Sequence, residues 1–155
     1  MIGDDASTDP RPRPGAREIA VFAEAVGALL VASLAIGILP FRLLTRTIAR
    51  PRGAASAPAD RDLIAAEVTR AIDRAARRLP LRIVCLHKAL ATHWLLRRRG
   101  VATHVHYGIS PGGAALKAHV WLDLGGKTII GEEESLGFAR VATFPPAGEG
   151  ENLPA

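Results

Sequence analysis

The chain has 155 residues, the size of one domain with a modest hydrophobic core. Its single cysteine excludes an internal disulfide and a cysteine-rich zinc site. The formal net charge at pH 7 is +5, from 20 Lys and Arg against 15 Asp and Glu, and this balance favours acidic partners or a membrane surface only weakly. Because no aromatic residues interleave with the basic ones, we do not expect nucleic-acid binding.

The N-terminal third divides into three parts. Residues 1–15 are polar and rich in Pro and Gly, which predicts disorder, and they lack the basic start of a signal peptide. Residues 17–39 predict a helix that Pro40 ends. A short basic helix at 41–49 and a Pro/Ala-rich linker at 50–59 follow.

The first helix contains an uncharged run of 17 residues, from Ala25 to Phe41. A membrane span needs about 17–25 residues, so the run is at the short limit. Basic residues follow it, as they do on a cytoplasmic flank: Arg42, Arg46, Arg50 and Arg52. Alanine and glycine make the run only mildly apolar, which favours a packed helix. Length alone does not separate the two, so membrane contact through residues 17–49 remains the alternative.

Two more helices are predicted in the middle of the chain. The first runs from an Asp60 cap to Arg78, and Pro80 stops the chain from continuing it. The second runs from Cys85 to Arg99, and Gly100 follows at the position where helices favour glycine. The first of these helices has an apolar stripe at helical spacing: Ile64, Val68, Ala71, Ile72, Ala75 and Leu79.

The period then changes from helical to alternating, which predicts strands. Gly125-Gly126 is a strong signal for a two-residue hairpin loop. The predicted elements are a strand at 101–109, a turn at 110–114, hairpin strands at 116–124 and 127–130, and a further strand at 140–144. Helices followed by an antiparallel sheet make the expected fold class α+β.

Cys85 lies where an extended stretch turns into a helix, and His119 lies in a downstream strand pattern. A helix N-terminus carries partial positive charge, which stabilises a thiolate. Trp121 shares a strand face with His119, which predicts a covered site. A thiol at a helix start and a histidine on a strand are typical of papain-like or transglutaminase-like nucleophiles. The alternatives are a small buried cysteine and a hydrogen-bonded core histidine.

The other histidines give weaker signals. His104 and His106 share a strand face opposite the apolar set, which predicts a solvated face rather than a metal site. His87 and His93 are six positions apart on a helix and do not share a face. We therefore expect no metal and no cofactor.

A third group usually orients the imidazole of a Cys–His pair. Asp123 is four residues from His119, about 13 Å along a strand, which is too far for a hydrogen bond. If the hairpin loop has two residues, an unbroken count places Glu132 opposite His119, with Cβ atoms about 5 Å apart. If the loop has three residues, the partner is Gly131.

An ordered set of residues extends from about Leu79 to Phe144. It consists of Leu79-Pro80, Cys85-Leu86, Ala89-Leu90, Leu95-Leu96-Arg97-Arg98-Arg99-Gly100-Val101, Gly108-Ile109 and Ala118-His119-Val120-Trp121. This set resembles the transglutaminase-like protease domain of lasso peptide biosynthesis, the leader-peptidase B proteins. The leucine-rich helix before Leu39-Pro40-Phe41-Arg42 resembles the segment that leads into that domain.

The resemblance implies that Cys85 is the nucleophile and His119 the general base. The family commonly places an aspartate near the start of the strand after the hairpin, where this chain has Ile129-Ile130-Gly131-Glu132. Either Glu132 substitutes for that aspartate or the triad is incomplete. The domain organisation we expect is a disordered N-terminus (1–15), a helical segment with linker (16–59), the protease domain (60–145) and a flexible tail (146–155).

The family removes the leader from a ribosomally made precursor peptide, after which a lasso cyclase closes the ring. Residues 1–60 show no strand pattern, so the chain resembles the form that needs a separate leader-binding protein. These expectations imply a cytoplasmic enzyme, with membrane association as the variant. The alternative functions are an acyl transferase at the same site and a catalytically impaired, membrane-associated adaptor with an inert cysteine.

Overall fold

The computed structural model of the chain describes residues 15–49, 58–112, 115–131 and 137–146. The predictions for residues 1–14, most of the linker, Glu132 and the tail beyond 146 lie outside these ranges. The described helices are α1 (Ala16–Ile38), α2 (Phe41–Ala49), α3 (Arg61–Arg78) and α4 (Cys85–Arg98). The described strands are β1 (His104–Gly112), β2 (Ala115–Leu124), β3 (Lys127–Ile130) and β4 (Ala139–Phe144).

The strands form one antiparallel sheet in the order β3-β2-β1-β4. The helices precede the sheet in the chain, which confirms the α+β prediction. The core is continuous across both parts, because apolar residues of every described helix join those of β1, β2 and β3 in one cluster.

Helix α1 packs one face into this core. Its buried residues, at helical spacing, are Val21, Ala25, Leu29 and Ala32. Three ion pairs tie it to α3 and α4: Arg17–Glu67, Glu18–Arg74 and Glu24–Arg99. By length and composition, the helix could also cross a membrane. A stretch of 18 residues in it has a mean hydropathy of 2.3, and 22% of that stretch is buried.

Helix α3 has the predicted apolar stripe, and helix α4 ends before the predicted glycine. Val68, Ala71, Ile72 and Ala75 are buried. Asp60 precedes α3, but its side chain makes no capping hydrogen bond and its backbone is not extended, at φ −100° and ψ 23°. Asp60 is at the predicted N-cap position, but the prediction that its side chain caps the helix by a hydrogen bond is wrong. Gly100 follows α4 with φ +90°, the left-handed conformation that the predicted helix end requires.

Strand β1 begins later and ends later than its sequence pattern predicts. Val101 is buried, but its N–H donates to the carbonyl of Leu96 (3.0 Å) and so belongs to the end of α4. At the other end, Ser110 pairs with Lys117 and Gly112 with Ala115. The predicted turn at 110–114 is wrong for its first three residues, because the ladder with β2 continues through them.

The hairpin between β2 and β3 has the predicted two-residue loop. Leu124 pairs with Lys127, and Gly125 and Gly126 have φ of +60° and +86°. The ladder then shifts, since Asp123 pairs with Thr128 but Leu122 pairs with Ile130. This bulge gives β3 one extra residue. The unbroken count that placed Glu132 opposite His119 is therefore wrong by one residue.

The register also assigns side chains to the two faces of the sheet. Directly paired residues share a face, and consecutive residues alternate between faces. One face carries His106, paired with Trp121, and His119, paired with Gly108. The other carries Tyr107, paired with Val120.

The prediction of a solvated face at His104 and His106 is wrong for His106, which is only 1% exposed. Its ring stacks on Trp121 with centroids 5.5 Å apart. Its Nδ1 lies 2.9 Å from the Thr143 hydroxyl on β4. Neighbouring strands supply both contacts, so the pattern of one strand could not reveal them.

Candidate active site

Cys85 is the first residue of α4 and a partly buried free thiol. Val84 before it has extended backbone, at φ −105° and ψ 173°, and its N–H donates to Nδ1 of His87 (3.3 Å). The imidazole thus occupies the place of the carboxylate in a capping box. Burial lowers the pKa of His87, which keeps this acceptor neutral. Cys85 thus belongs to the first turn of α4, where the backbone N–H groups and the positive end of the helix dipole are found.

Tyr107 is a near neighbour of Cys85 that sequence analysis gave no role. Its ring contacts Phe41 (centroids 5.6 Å apart) and Phe144 (5.8 Å), both edge-on. Its hydroxyl is buried and has no hydrogen-bond partner among the described residues. Burial, and then the negative charge of Cys85, raise the pKa of Tyr107 to about 12. The phenol therefore stays protonated at neutral pH, and its hydroxyl remains a hydrogen-bond donor.

His119 is buried, at 4% exposure, and is held on several sides. Its ring stacks on Trp121 (6.0 Å between centroids, 16° between planes) and lies 5.3 Å from the ring of Phe138. Its Nε2 is 3.2 Å from the carbonyl oxygen of Gly131. A carbonyl only accepts hydrogen bonds, so Nε2 carries the proton and Nδ1 has the lone pair. This is the tautomer that a base acting through Nδ1 requires.

The approach of Gly131 to His119 depends on glycine. Gly131 has φ +78°, a conformation that costs other residues about 1–2 kcal/mol. A Cβ there would lie 2.9 Å from His119 Nε2 and 3.2 Å from the Val120 carbonyl. Sequence analysis found no use for Gly131, because the interacting group is a backbone carbonyl that every residue has.

The two carboxylates considered in the sequence have different outcomes. Asp123 accepts a hydrogen bond from the N–H of Gly126 (3.3 Å) and lies 3.8 Å from Nε2 of His106. Burial disfavours its charged form, but His106 and the Gly126 amide outweigh burial and lower the pKa of Asp123. Asp123 therefore supports the hairpin turn and His106. Glu132 lies outside the described residues.

The register places Tyr107 and His119 on different faces of the sheet. Tyr107, whose pKa responds to the Cys85 charge, lies on one face of the sheet, and His119 lies on the other with Trp121. The pairing of Cys85 with His119 consequently does not follow from the register, and it stays a prediction of the sequence.

Comparison with known proteins gives the family. The model of the transglutaminase-like superfamily matches residues 8–143, a range that takes in α1 and α2 as well as the predicted protease domain. No curated protein and no solved structure matches the chain. The superfamily is generally enzymatic and includes cysteine peptidases and acyltransferases. By the extent of this match, the chain belongs to the transglutaminase-like superfamily.

Proposed function

We propose that this protein is a cysteine peptidase that removes the leader from a ribosomally made, lasso-type precursor peptide. The observation that carries the proposal is the position of Cys85 at the first residue of α4, inside the range that matches the superfamily. In this proposal the Cys85 thiolate is the nucleophile and His119 is the general base.

The residues would act in the following sequence. The Cys85 thiol gives its proton to Nδ1 of His119, and the thiolate attacks the scissile carbonyl carbon. The imidazolium then protonates the leaving amine, which leaves a thioester on Cys85. Water, activated by the same imidazole, hydrolyses the thioester and frees the acid. The hydrogen bond from Nε2 to the Gly131 carbonyl keeps a proton on Nε2 throughout, so that Nδ1 is the nitrogen that accepts and returns the proton.

A neutral carbonyl stabilises the imidazolium less than a carboxylate does. Glu132 is the carboxylate that we propose to supply this charge, as the family aspartate would. Because strand β3 ends at Ile130 and its pairing shifts by one residue, this role for Glu132 does not rest on a position directly opposite His119.

Substrate delivery in this proposal depends on a separate leader-binding protein. The described residues before 60 form helices, and helices offer no strand edge to which an extended leader could add. The product of cleavage would pass to a lasso cyclase, which uses the new N-terminus to close the ring.

The test is cleavage of a precursor peptide by the full chain with its leader-binding partner, followed by mass spectrometry. Cys85→Ser and His119→Ala should abolish cleavage, and His104→Ala, on the same sheet face but only half-buried, should not. Adding a primary amine separates hydrolysis from acyl transfer, because an amide product has a different mass from the acid. Cleavage that survives Cys85→Ser would overturn the proposal.

A second candidate function is a catalytically impaired adaptor. The specific observation in its favour is the register, which sets His119 and the Cys85 neighbour Tyr107 on opposite faces of the sheet. For an adaptor, precursor would remain intact under every condition, and iodoacetamide treatment of Cys85 would leave complex formation with the leader-binding protein unchanged.

A further inference from the structure

Helix α1 has a second face that the core does not use. We call it the outer apolar face, and it consists of Leu30, Val31, Leu34, Ile38 and, at the start of α2, Phe41. Exposed fractions rise along it from 41% at Leu30 to 74% at Ile38. Within α1, the spacing of three and four residues aligns Leu34 with Leu30, Val31 and Ile38 in one stripe, and Phe41 follows after the helix ends. Single exposed apolar residues are ordinary, but a continuous stripe of this kind marks an interaction site.

The opposite face of α1 is fixed to the protein. Ala25, Leu29 and Ala32 are fully buried against the core. Near the start of the helix, Arg17 and Glu18 pair with Glu67 and Arg74 of α3. A helix that crossed a bilayer alone would lose these contacts and carry its charged end into hydrocarbon. The helix is therefore suited to contact a bilayer along its length while it stays packed.

Charge indicates which apolar partner fits. The stripe lies in the uncharged run 25–41, and α2 then exposes Arg42, the residue after Phe41, and Arg46 one turn later. Four of the five side chains of the outer apolar face are aliphatic, and they lie on the outside of a helix rather than in a pocket. The anchors that concentrate the energy of protein interfaces fill pockets. A helical face of Leu, Ile and Phe with flanking arginines is the pattern of helices that lie in the surface of an anionic bilayer.

We propose that the outer apolar face, together with Arg42 and Arg46, docks the protein onto the surface of an anionic lipid bilayer. Helix α1 lies in the plane of the surface, with Leu34 and Ile38 in the acyl boundary and the two arginines among the lipid phosphates. This inference is independent of the proposed peptidase activity.

The test is co-sedimentation of the full-length Cys85→Ser protein with vesicles. Equal parts of phosphatidylcholine and phosphatidylglycerol should bind it, and phosphatidylcholine alone should bind it far less. The double variant Leu34→Ser/Ile38→Ser should weaken binding at least tenfold. The matched control is Leu63→Ser/Leu116→Ser, since Leu63 and Leu116 are equally exposed, at 74% and 70%, but lie on α3 and β2.

A second pair of variants tests the electrostatic part. Arg42→Gln and Arg46→Gln should each weaken binding to the anionic vesicles about fivefold, and the effect should shrink as salt is added. Arg98→Gln, an exposed arginine at the end of α4, should have no effect. Circular dichroism of each variant shows that the fold is retained.

Three results would overturn the proposal. The first is equal loss of vesicle binding in the two serine double variants. The second is resistance of the bound protein to alkaline extraction, which would indicate a helix that spans the bilayer. The third is that the unaltered chain does not bind vesicles but self-associates as its concentration rises, and that Leu34→Ser/Ile38→Ser abolishes this self-association. The outer apolar face would then be a contact between copies of the chain.

Discussion

Replacement of Gly131 by alanine tests whether the backbone carbonyl beside His119 positions a catalytic base. Gly131 has φ +78°, and an added Cβ would lie 2.9 Å from Nε2 of His119. Atoms at that distance must separate by several tenths of an ångström, so the ring moves away from its carbonyl partner. We therefore expect Gly131→Ala to lower kcat with little change in KM.

The matched control is Gly126→Ala in the hairpin loop. Gly126 has a similar φ of +86°, but an added Cβ there meets no atom within 4 Å. Both variants lose about 1–2 kcal/mol of stability from the left-handed backbone. Gly131→Ala loses about 1 kcal/mol more if the Nε2 hydrogen bond to its carbonyl lengthens. The difference between the two variants thus measures the crowding of a Cβ at position 131 against the His119 ring and the Val120 carbonyl.

Displacement of a reacting group by about 1 Å lowers rates by about a hundredfold, so a shift of several tenths of an ångström should cost roughly 5- to 25-fold in kcat. Urea unfolding gives the stabilities, and precursor cleavage at saturating substrate gives kcat. Gly126→Ala should retain nearly full activity. Equal kcat values for the two variants would show that the Gly131 carbonyl does not position the base, or that His119 is not the base.

Three further predictions concern Tyr107, His93 and the carboxylates. Tyr107→Phe removes a buried hydroxyl that has no partner among the described residues, so the free energy of unfolding should be unchanged or higher. The kcat of this variant should fall about tenfold if the phenol donates to charge that develops at Cys85, and an unchanged kcat would exclude that role. Burial, then Arg97 and His104, lower the pKa of His93 from 6.5 to about 4. Between these pH values the unfolded chain binds a proton that the folded protein does not, so about 3 kcal/mol of stability, present in full above pH 6.5, should be lost as the pH falls towards 4. Urea unfolding of His93→Gln should not show this loss. Glu132→Gln should reduce cleavage by at least about tenfold if its carboxylate stabilises the imidazolium, while Asp123→Asn should leave kcat nearly unchanged, and the reverse ranking would assign the third group to Asp123.

Local patterns determined most of the secondary structure before any tertiary contact was known. The spacing of Val68, Ala71, Ile72 and Ala75 predicted the buried face of α3, and these residues are buried. The hairpin loop at Gly125-Gly126 and the end of α4 before Gly100 follow from the φ values that glycine alone adopts easily. Cys85 at the start of α4 belongs to the same class, because a helix boundary is a local property.

Features that depend on neighbouring strands were decided only by the tertiary structure. The bulge in β3 shifted the pairing by one residue, so the unbroken count used to predict the partner of His119 fails, although the loop itself was predicted correctly. His106 is buried because Trp121 and Thr143 of adjacent strands cover its ring. The Gly131 carbonyl lies within hydrogen-bond distance of His119, and a backbone carbonyl has no signature in a sequence. The physical reason is that hydrophobic periodicity depends on which side of a single segment is buried. Strand register and contacts to backbone groups depend on several segments at once, so one segment's sequence does not determine them.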